Sequence, residues 1–170
     1  VSSMPFSYVP GDNDIDHVDD LGMIHLIDAA KKARVRKFIY TSFSGHIDVQ
    51  SPLRDAKRHV EEYLQHSGVH YTILRPSYFM EVWLSPAVGF DAEHTQAQIF
   101  GSGRNPISYI SYKDVARFAV ECLHNPAARD KVLELGGPDQ ITQLDVVRIF
   151  EMEGGNEFKI TYVPTDALEQ

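Results

Sequence analysis

The sequence predicts an α/β protein built on a parallel sheet. Helical and strand-like segments alternate along most of the chain, the pattern left by crossover connections between parallel strands. The clearest strand, Val69 to Leu74, is a near-continuous apolar run holding Tyr71, Thr72 and Ile73, as suits a strand buried on both faces. Helix punctuation is equally clear: Ser51-Pro52 opens one helix and Gly68 closes it.

Taken in order, residues 4–15 read as loop, because Pro5, Pro10, Gly11 and Asp12-Asn13-Asp14 favour turns. A helix is expected from Asp16 to Ala33, capped by Asp16, with Asp19 and Asp20 in its first turn and Lys31, Lys32 and Arg34 at its end. Leu21, Ile24 and Ile27 supply its inner face. Lys37 to Ser42 is a strand by its aromatic and β-branched content, and Phe43 to Gln50 is a loop. After the Ser51-Pro52 start, Leu53, Ala56, Val60, Tyr63 and Leu64 recur at helical spacing. Pro76 stops the strand that follows. Residues 77–88 hold a short helix ending near Pro86, and 89–110 read as irregular, with Gly89, Gly101, Gly103 and Pro106. Ser111 and Asp114 form a capping-box pattern at the head of a helix from Tyr112 to His124, whose stripe is Val115, Phe118, Ala119, Cys122 and Leu123. Lys131–Leu135 is a short strand closed by Gly136-Gly137-Pro138. Thr142 and Asp145 cap a last helix with Val146, Ile149 and Phe150 inward, and Phe158–Val163 is a final strand.

Open parallel sheets bind ligands beyond the carboxyl ends of their strands. That places attention on Ser2-Ser3, Thr41-Ser42-Phe43 and Arg75-Pro76-Ser77-Tyr78.

The 170 residues suit a single domain with one core, 1–170, and 43% hydrophobic with 24% charged residues is an ordinary globular balance. The formal charge of −8 argues against a nucleic-acid backbone as partner, which needs a basic face. No apolar run is long enough to span a membrane, and no signal peptide is expected. A single cysteine, Cys122, excludes an internal disulfide and a Cys-rich metal site, and a reducing, cytoplasmic setting is expected. The histidines show no metal-ligand spacing, so no metal is expected.

The stretches Arg36-Lys37-Phe38-Ile39-Tyr40-Thr41-Ser42, Lys57 with Glu61-Glu62-Tyr63-Leu64, and Tyr71-Thr72-Ile73-Leu74-Arg75-Pro76-Ser77-Tyr78-Phe79 together resemble the NmrA-like branch of the atypical short-chain dehydrogenases. Tyr109-Ile110-Ser111-Tyr112-Lys113-Asp114-Val115-Ala116 and Leu133-Glu134-Leu135-Gly136-Gly137-Pro138 followed by Ile141-Thr142 agree with it. The resemblance covers nearly the whole chain. It implies an incomplete parallel Rossmann-like sheet, the second half of one, with a small α+β substrate-side portion. It further implies NADP or NAD as cofactor, and Val1-Ser2-Ser3 as the tail of the fourth strand.

Two departures stand out. The closely spaced glycines of a pyrophosphate loop are absent; only Gly101-Ser102-Gly103 has the short spacing, without a strand before it and a helix after it. With no initiator methionine and no such loop, the chain reads as part of something larger, with on the order of 70–100 residues upstream. The tyrosine of the Tyr-x-x-x-Lys pattern of short-chain dehydrogenases is replaced: counting back from Lys57, that position holds Leu53.

By resemblance, Lys57 holds the nicotinamide ribose and serves as acid or base; the alternative is a solvated pair with Glu61. Ser42 and Thr41 end a strand at the ligand edge, where their hydroxyls orient a substrate carbonyl or contact the cofactor, unless they only cap the strand end. The resemblance also implies that the turn holding Pro76, Ser77 and Phe79 walls the nicotinamide, and Tyr78 is the nearby phenol that could replace the lost tyrosine, unless it only packs. His46 is a further proton-donor candidate unless it is a surface residue, Trp83, Phe79 and Met80 line an apolar pocket or belong to a core or interface, and Cys122 reads as core.

The leading expectation is a reductase that passes hydride to a small, apolar, carbonyl- or quinone-like substrate. The rival is a cofactor sensor that binds a partner protein, which the loss of the tyrosine favours. A third reading is a truncated chain without activity, whose open sheet edge pairs with a second copy.

Overall fold

The computed structural model describes residues 14–47 and 49–164. These fall into two compact units, one formed by the chain up to Pro76 with Val115–Leu135, the other by Ser77–Asp114 with the chain from Gly136 onward.

The first unit carries a three-stranded parallel sheet, β1 (Phe38–Thr41), β2 (Tyr71–Pro76) and β5 (Lys131–Leu135), with β2 in the middle. Phe38 to Thr41 pair with Tyr71 to Leu74, and Thr72 to Pro76 pair with Lys131 to Leu135. Thr72, Ile73 and Leu74 have no exposed surface, as the apolar run at this position predicted. The ladder continues past β1: the Ser42 and Ser44 amides donate to the carbonyls of Leu74 and Pro76 at 2.8 and 2.9 Å. Pro76 therefore ends β2 from inside it, because the last residue of a strand can use its carbonyl alone.

Helices α1 (Met23–Lys32) and α2 (Pro52–His66) cover one face of this sheet. Met23, Ile27, Val60 and Leu64 pack on Tyr40 and Ile73. Ser51 caps α2 by accepting from the Arg54 amide, with Pro52 at the first helical position, as read from sequence. The helix expected from Asp16 begins differently. Asp16–Gly22 is a π-helical segment leading into α1, and Asp14, not Asp16, receives the capping amide, that of His17, at 2.9 Å. Gly22 permits the wider turn, since a Cβ there would sit 2.9 Å from the His17 carbonyl oxygen. The widening also turns Leu21 outward, so Met23 takes the inner place the sequence assigned to it.

Helix α4 (Tyr112–His124) follows its predicted bounds, but its buried line is narrower. Val115 and Cys122 are buried, while Phe118 and Leu123, which flank that line, are half exposed. Burial also pushes the Cys122 thiol pKa up, which fits a core residue and not a nucleophile.

The second unit corrects the reading of residues 89–110 as irregular. β3 (Phe90–Asp91) and β4 (Gln96–Phe100) form an antiparallel hairpin, and β6 (Lys159–Val163) pairs parallel with β4. The hairpin was hidden because β3 has two residues and β4, Gln-Ala-Gln-Ile-Phe, carries little aliphatic weight. The expected helix in 77–88 shrinks to one turn, α3 (Met80–Trp83), followed by a 3-10 turn at Pro86–Val88. Gly101-Ser102-Gly103 is the turn that closes β4.

Helix α5 (Gln143–Gly154) starts at a capping box in which Thr142 and Asp145 exchange side-chain and backbone hydrogen bonds. Its buried residues are Val146 and Val147, whereas Ile149 is half exposed. They pack with Phe90, Ala97, Ile99 and Tyr109, and Phe150 meets Phe90 and Phe158 edge to face, with the Phe90 and Phe150 ring centres 4.9 Å apart.

Candidate functional site at the carboxyl edge of the parallel sheet

In the first unit β1, β2 and β5 all run the same way, so their carboxyl ends share one edge. Ser42 sits there, buried, just past β1, while Thr41 is exposed at its last position. Tyr40 and Ser42 are two residues apart and so share a face of the chain, the face that α2 covers.

Consecutive residues of α2 meet them. The Lys57 ammonium lies 5.4 Å from the centre of the Tyr40 ring, and the Arg58 guanidinium donates to Ser42 Oγ at 3.3 Å and to the Phe43 and Ser44 carbonyls at 3.2 Å. Lys57 does not pair with Glu61, the solvated alternative read from sequence. Its partner is Asp19 of the π-helical segment, at 3.1 Å, and both side chains are mostly shielded from water. One ammonium has three donors, and the Asp19 contact uses one. The Tyr40 hydroxyl is buried with no hydrogen-bond partner in the described structure. Burial, followed by the charges of Asp19 and Glu61, pushes its pKa far above that of a free phenol.

Glu61, on the adjacent face of α2, is only 3% exposed yet charged. It receives Arg58 at 2.7 Å and both the Nε and Nη2 groups of Arg75, at the end of β2. Arg75 also reaches Glu134 of β5 at 3.4 Å, and Glu134 in turn accepts from Ser44 Oγ at 2.7 Å and from the Gly45 amide at 2.9 Å. Burial alone pushes the Glu61 pKa up. Hydrogen bonds from Arg75 and Ser42, with the charges of Arg58 and Arg75, outweigh it and hold the carboxyl below its ordinary range. A carboxylate with a lowered folded pKa contributes stability above its unfolded pKa of about 4.3 and loses it as pH falls through the lowered value. In urea titrations the wild-type chain is therefore more stable than Glu61→Gln at pH 7, and the gap closes below about pH 4. Curves that stay parallel down to pH 3 would contradict this.

The other residues singled out from sequence lie elsewhere. Ser2 and Ser3 are outside the described residues. Pro76 is buried at the end of β2. Ser77, Tyr78 and Phe79 belong to the second unit. There Ser77 Oγ donates to the Ser108 carbonyl, Phe79 lies 4.5 Å from the Tyr112 ring, and Tyr78 packs edge-on to Trp83 at 4.9 Å and Tyr109 at 6.5 Å. Burial, with a smaller effect of Tyr78, pushes the Tyr109 pKa up to about 12. His46 is exposed, its amide bound to Ser44 Oγ. Leu53 is partly buried on α2. Among the described residues no helix is long and apolar enough to cross a membrane, and no group of three His, Cys, Asp or Glu is placed to hold a metal.

Sequence reading missed Arg58, Glu61, Arg75 and Glu134 as one connected set, and Asp19 as the partner of Lys57. The visible signal was weak: Glu61 directly follows Val60 on the apolar stripe of α2, where a carboxylate needs a partner.

The sequence model of the NmrA-like family matches residues 17–170. The chain belongs to the NmrA-like family. Among curated relatives of this NmrA-like chain, the photosystem II assembly factor Ycf39 of Synechocystis is 30% identical over 156 residues, 91% of this chain and 47% of that protein. Isoeugenol synthase 1 of Petunia hybrida is 25% identical over 155 residues, 84% of this chain and 47% of that protein. The NmrA-like chain thus spans about half the length of these relatives. Among solved structures, an NADPH-dependent quinone oxidoreductase from Escherichia coli superposes with a TM-score of 0.72 at 25% identity, over 85% of this chain and 52% of that one. A second structure of that enzyme, complexed with NADPH, gives a TM-score of 0.71 at 24% identity over 93% and 53%. The Rossmann-like α/β class expected from sequence is the class these structures share, and the solved neighbours include NADPH-dependent reductases.

Proposed function

We propose that this NmrA-like chain contributes the nicotinamide side of an NAD(P)H-dependent reductase acting on a small, apolar, carbonyl- or quinone-like substrate. The observation that supports it most is the pairing of Lys57 and Arg58 with Tyr40 and Ser42 at the carboxyl edge of the parallel sheet. A shielded ammonium with unused donors, a strand-end hydroxyl and a buried, unpartnered phenol beneath them suit a ribose and a carbonyl better than a phosphate. The guanidinium groups of Arg58 and Arg75 are matched by Glu61 and Glu134, so they leave little net positive charge for pyrophosphate.

On this reading Lys57 donates to ribose hydroxyls while Asp19 holds its ammonium in place. Ser42 orients the substrate carbonyl by turning its single hydroxyl proton from Glu61 to that carbonyl, while Arg58 keeps hold of its oxygen. The nicotinamide, when bound, supplies the hydride, and the protein supplies placement. Pro76, buried at the end of β2, is proposed to wall the nicotinamide.

Calorimetric titration of the chain with NADPH and with NADH tests the reading. Micromolar binding of either supports it, and absence of heat and of any thermal shift with both overturns it for this chain.

Leu53 in the tyrosine position also supports a second reading, a sensor that binds cofactor and a partner protein without turnover. Assembly factors among the relatives at about 30% identity lean the same way. A panel of quinones and aldehydes separates the two, since a sensor binds NADPH without oxidising it.

A further inference from the structure

Three strand ends and a helix converge on one buried carboxylate in the first unit. Arg58 of α2 binds Glu61 and the Ser42, Phe43 and Ser44 oxygens. Arg75, at the end of β2, binds both Glu61 and Glu134. Glu134, near the end of β5, holds the Ser44 hydroxyl and the Gly45 amide. Every polar contact of the segment Ser42–Gly45 with α2 or β5 in this set thus runs through one of two guanidinium groups or their two carboxylates.

A buried ion set of this kind is a poor route to stability, because removing charges from water offsets most of their attraction. Its geometry is informative instead. Arg58 and Arg75 are planar donors with fixed forks, so a carboxylate bound to both sets their relative orientation. Orientation then passes to the Ser42 hydroxyl and to three backbone groups of the loop. Val60, the neighbour of Glu61, is wholly buried in the apolar core, and the core could have been closed at position 61 by another apolar side chain without any of these bonds.

We infer that Glu61 is a positioning residue: through Arg58, Arg75 and Glu134 it holds the Ser42–Gly45 segment in the conformation that receives ligand. The identity of that ligand rests on the reading proposed above, whereas the hold on the segment does not.

Amide hydrogen exchange on the full chain tests it. In Glu61→Gln the amides of Ser44, Gly45 and His46 exchange about tenfold faster, while those of Ile73 and Leu74 in the central strand keep their protection. The Ile27→Val variant lowers the thermal midpoint through the core on α1 and leaves the loop amides unchanged, which separates positioning from general loss of stability. Should Glu61→Gln fail to fold, Glu134→Gln serves, because Glu134 is exposed enough to tolerate exchange; it speeds the Ser44 and Gly45 amides in the same way. Unaltered loop exchange in the folded variant overturns the inference. If the wild-type chain binds NADPH, Glu61→Gln also raises its Kd about tenfold; a loosened loop with unchanged Kd overturns the link to ligand. If the wild-type chain binds neither cofactor, the function proposed above fails, and the exchange rates still decide the role of Glu61.

Discussion

Replacing Gly137 with alanine lowers the thermal midpoint by about 10 °C, the shift expected for the loss of about 3 kcal/mol in a chain of this size. The cause is a close approach inside the second unit. A Cβ on Gly137 would lie 2.0 Å from the Tyr109 carbonyl oxygen and 3.1 Å from its carbon, so the obstacle is backbone. Neither side can yield by rotating a side chain. Tyr109 is buried in the aromatic core, and its neighbour Ile110 is tied by amide and carbonyl to Tyr78 and Met80. The adjacent Gly136 is tighter than usual too, 3.1 Å from the Ser108 Cβ, but that contact is with a side-chain atom. Gly154→Ala is the matched control. Nothing stands within 4 Å of a Cβ there, and the residue ends α5 in helical conformation, so alanine is neutral or gains up to about 1 kcal/mol. Differential scanning calorimetry of the two variants checks both, and equal midpoints would contradict the close approach.

Replacing Lys57 with methionine raises the Kd for NADPH by roughly 10- to 100-fold on the proposed reading, the range that one lost charge-assisted hydrogen bond gives. Methionine keeps the packing of the aliphatic stem against the Tyr40 ring and removes the ammonium. The substitution also strands Asp19, whose side chain is 14% exposed, so some stability is lost with the ion pair. Lys57→Met combined with Asp19→Asn removes both charges and separates the two effects. The double variant recovers thermal stability and not affinity if Lys57 binds the cofactor directly. Recovery of affinity as well would move the role from Lys57 to the shape of its surroundings. Isothermal titration and thermal melts of the same samples provide both numbers.

The first unit was largely legible as sequence because its signals are local. Thr72, Ile73 and Leu74 announce a strand buried on both faces, and Ser51-Pro52 sets a helix start within a few residues of chain, as the Thr142–Asp145 box does in the second unit. The family resemblance rested on the same stretches and holds over residues 17–170. The β3–β4 hairpin was not legible, since β3 has two residues and the alternation of β4 rests on one alanine and one isoleucine; pairing with β6, some 60 residues later, makes them a sheet. The outward turn of Leu21 depended on a π-helical segment, for which no sequence rule was available.

The candidate site divides along the same line. The chain's own chemistry placed Ser42 at a strand end and Lys57 on the following helix, because period, caps and strand content are properties of neighbouring residues. Which charge meets which was decided by folding. Lys57 has Glu61 one turn ahead of it on α2, a distance favourable for pairing in an isolated helix. In the folded unit it turns to Asp19, and Glu61 goes to Arg58 and Arg75. Burial is the reason. At the surface a pair one turn apart is worth a few tenths of a kcal/mol, whereas a carboxylate that must leave water takes whatever set of donors surrounds it most completely, and that set comes from α2 and β2 together.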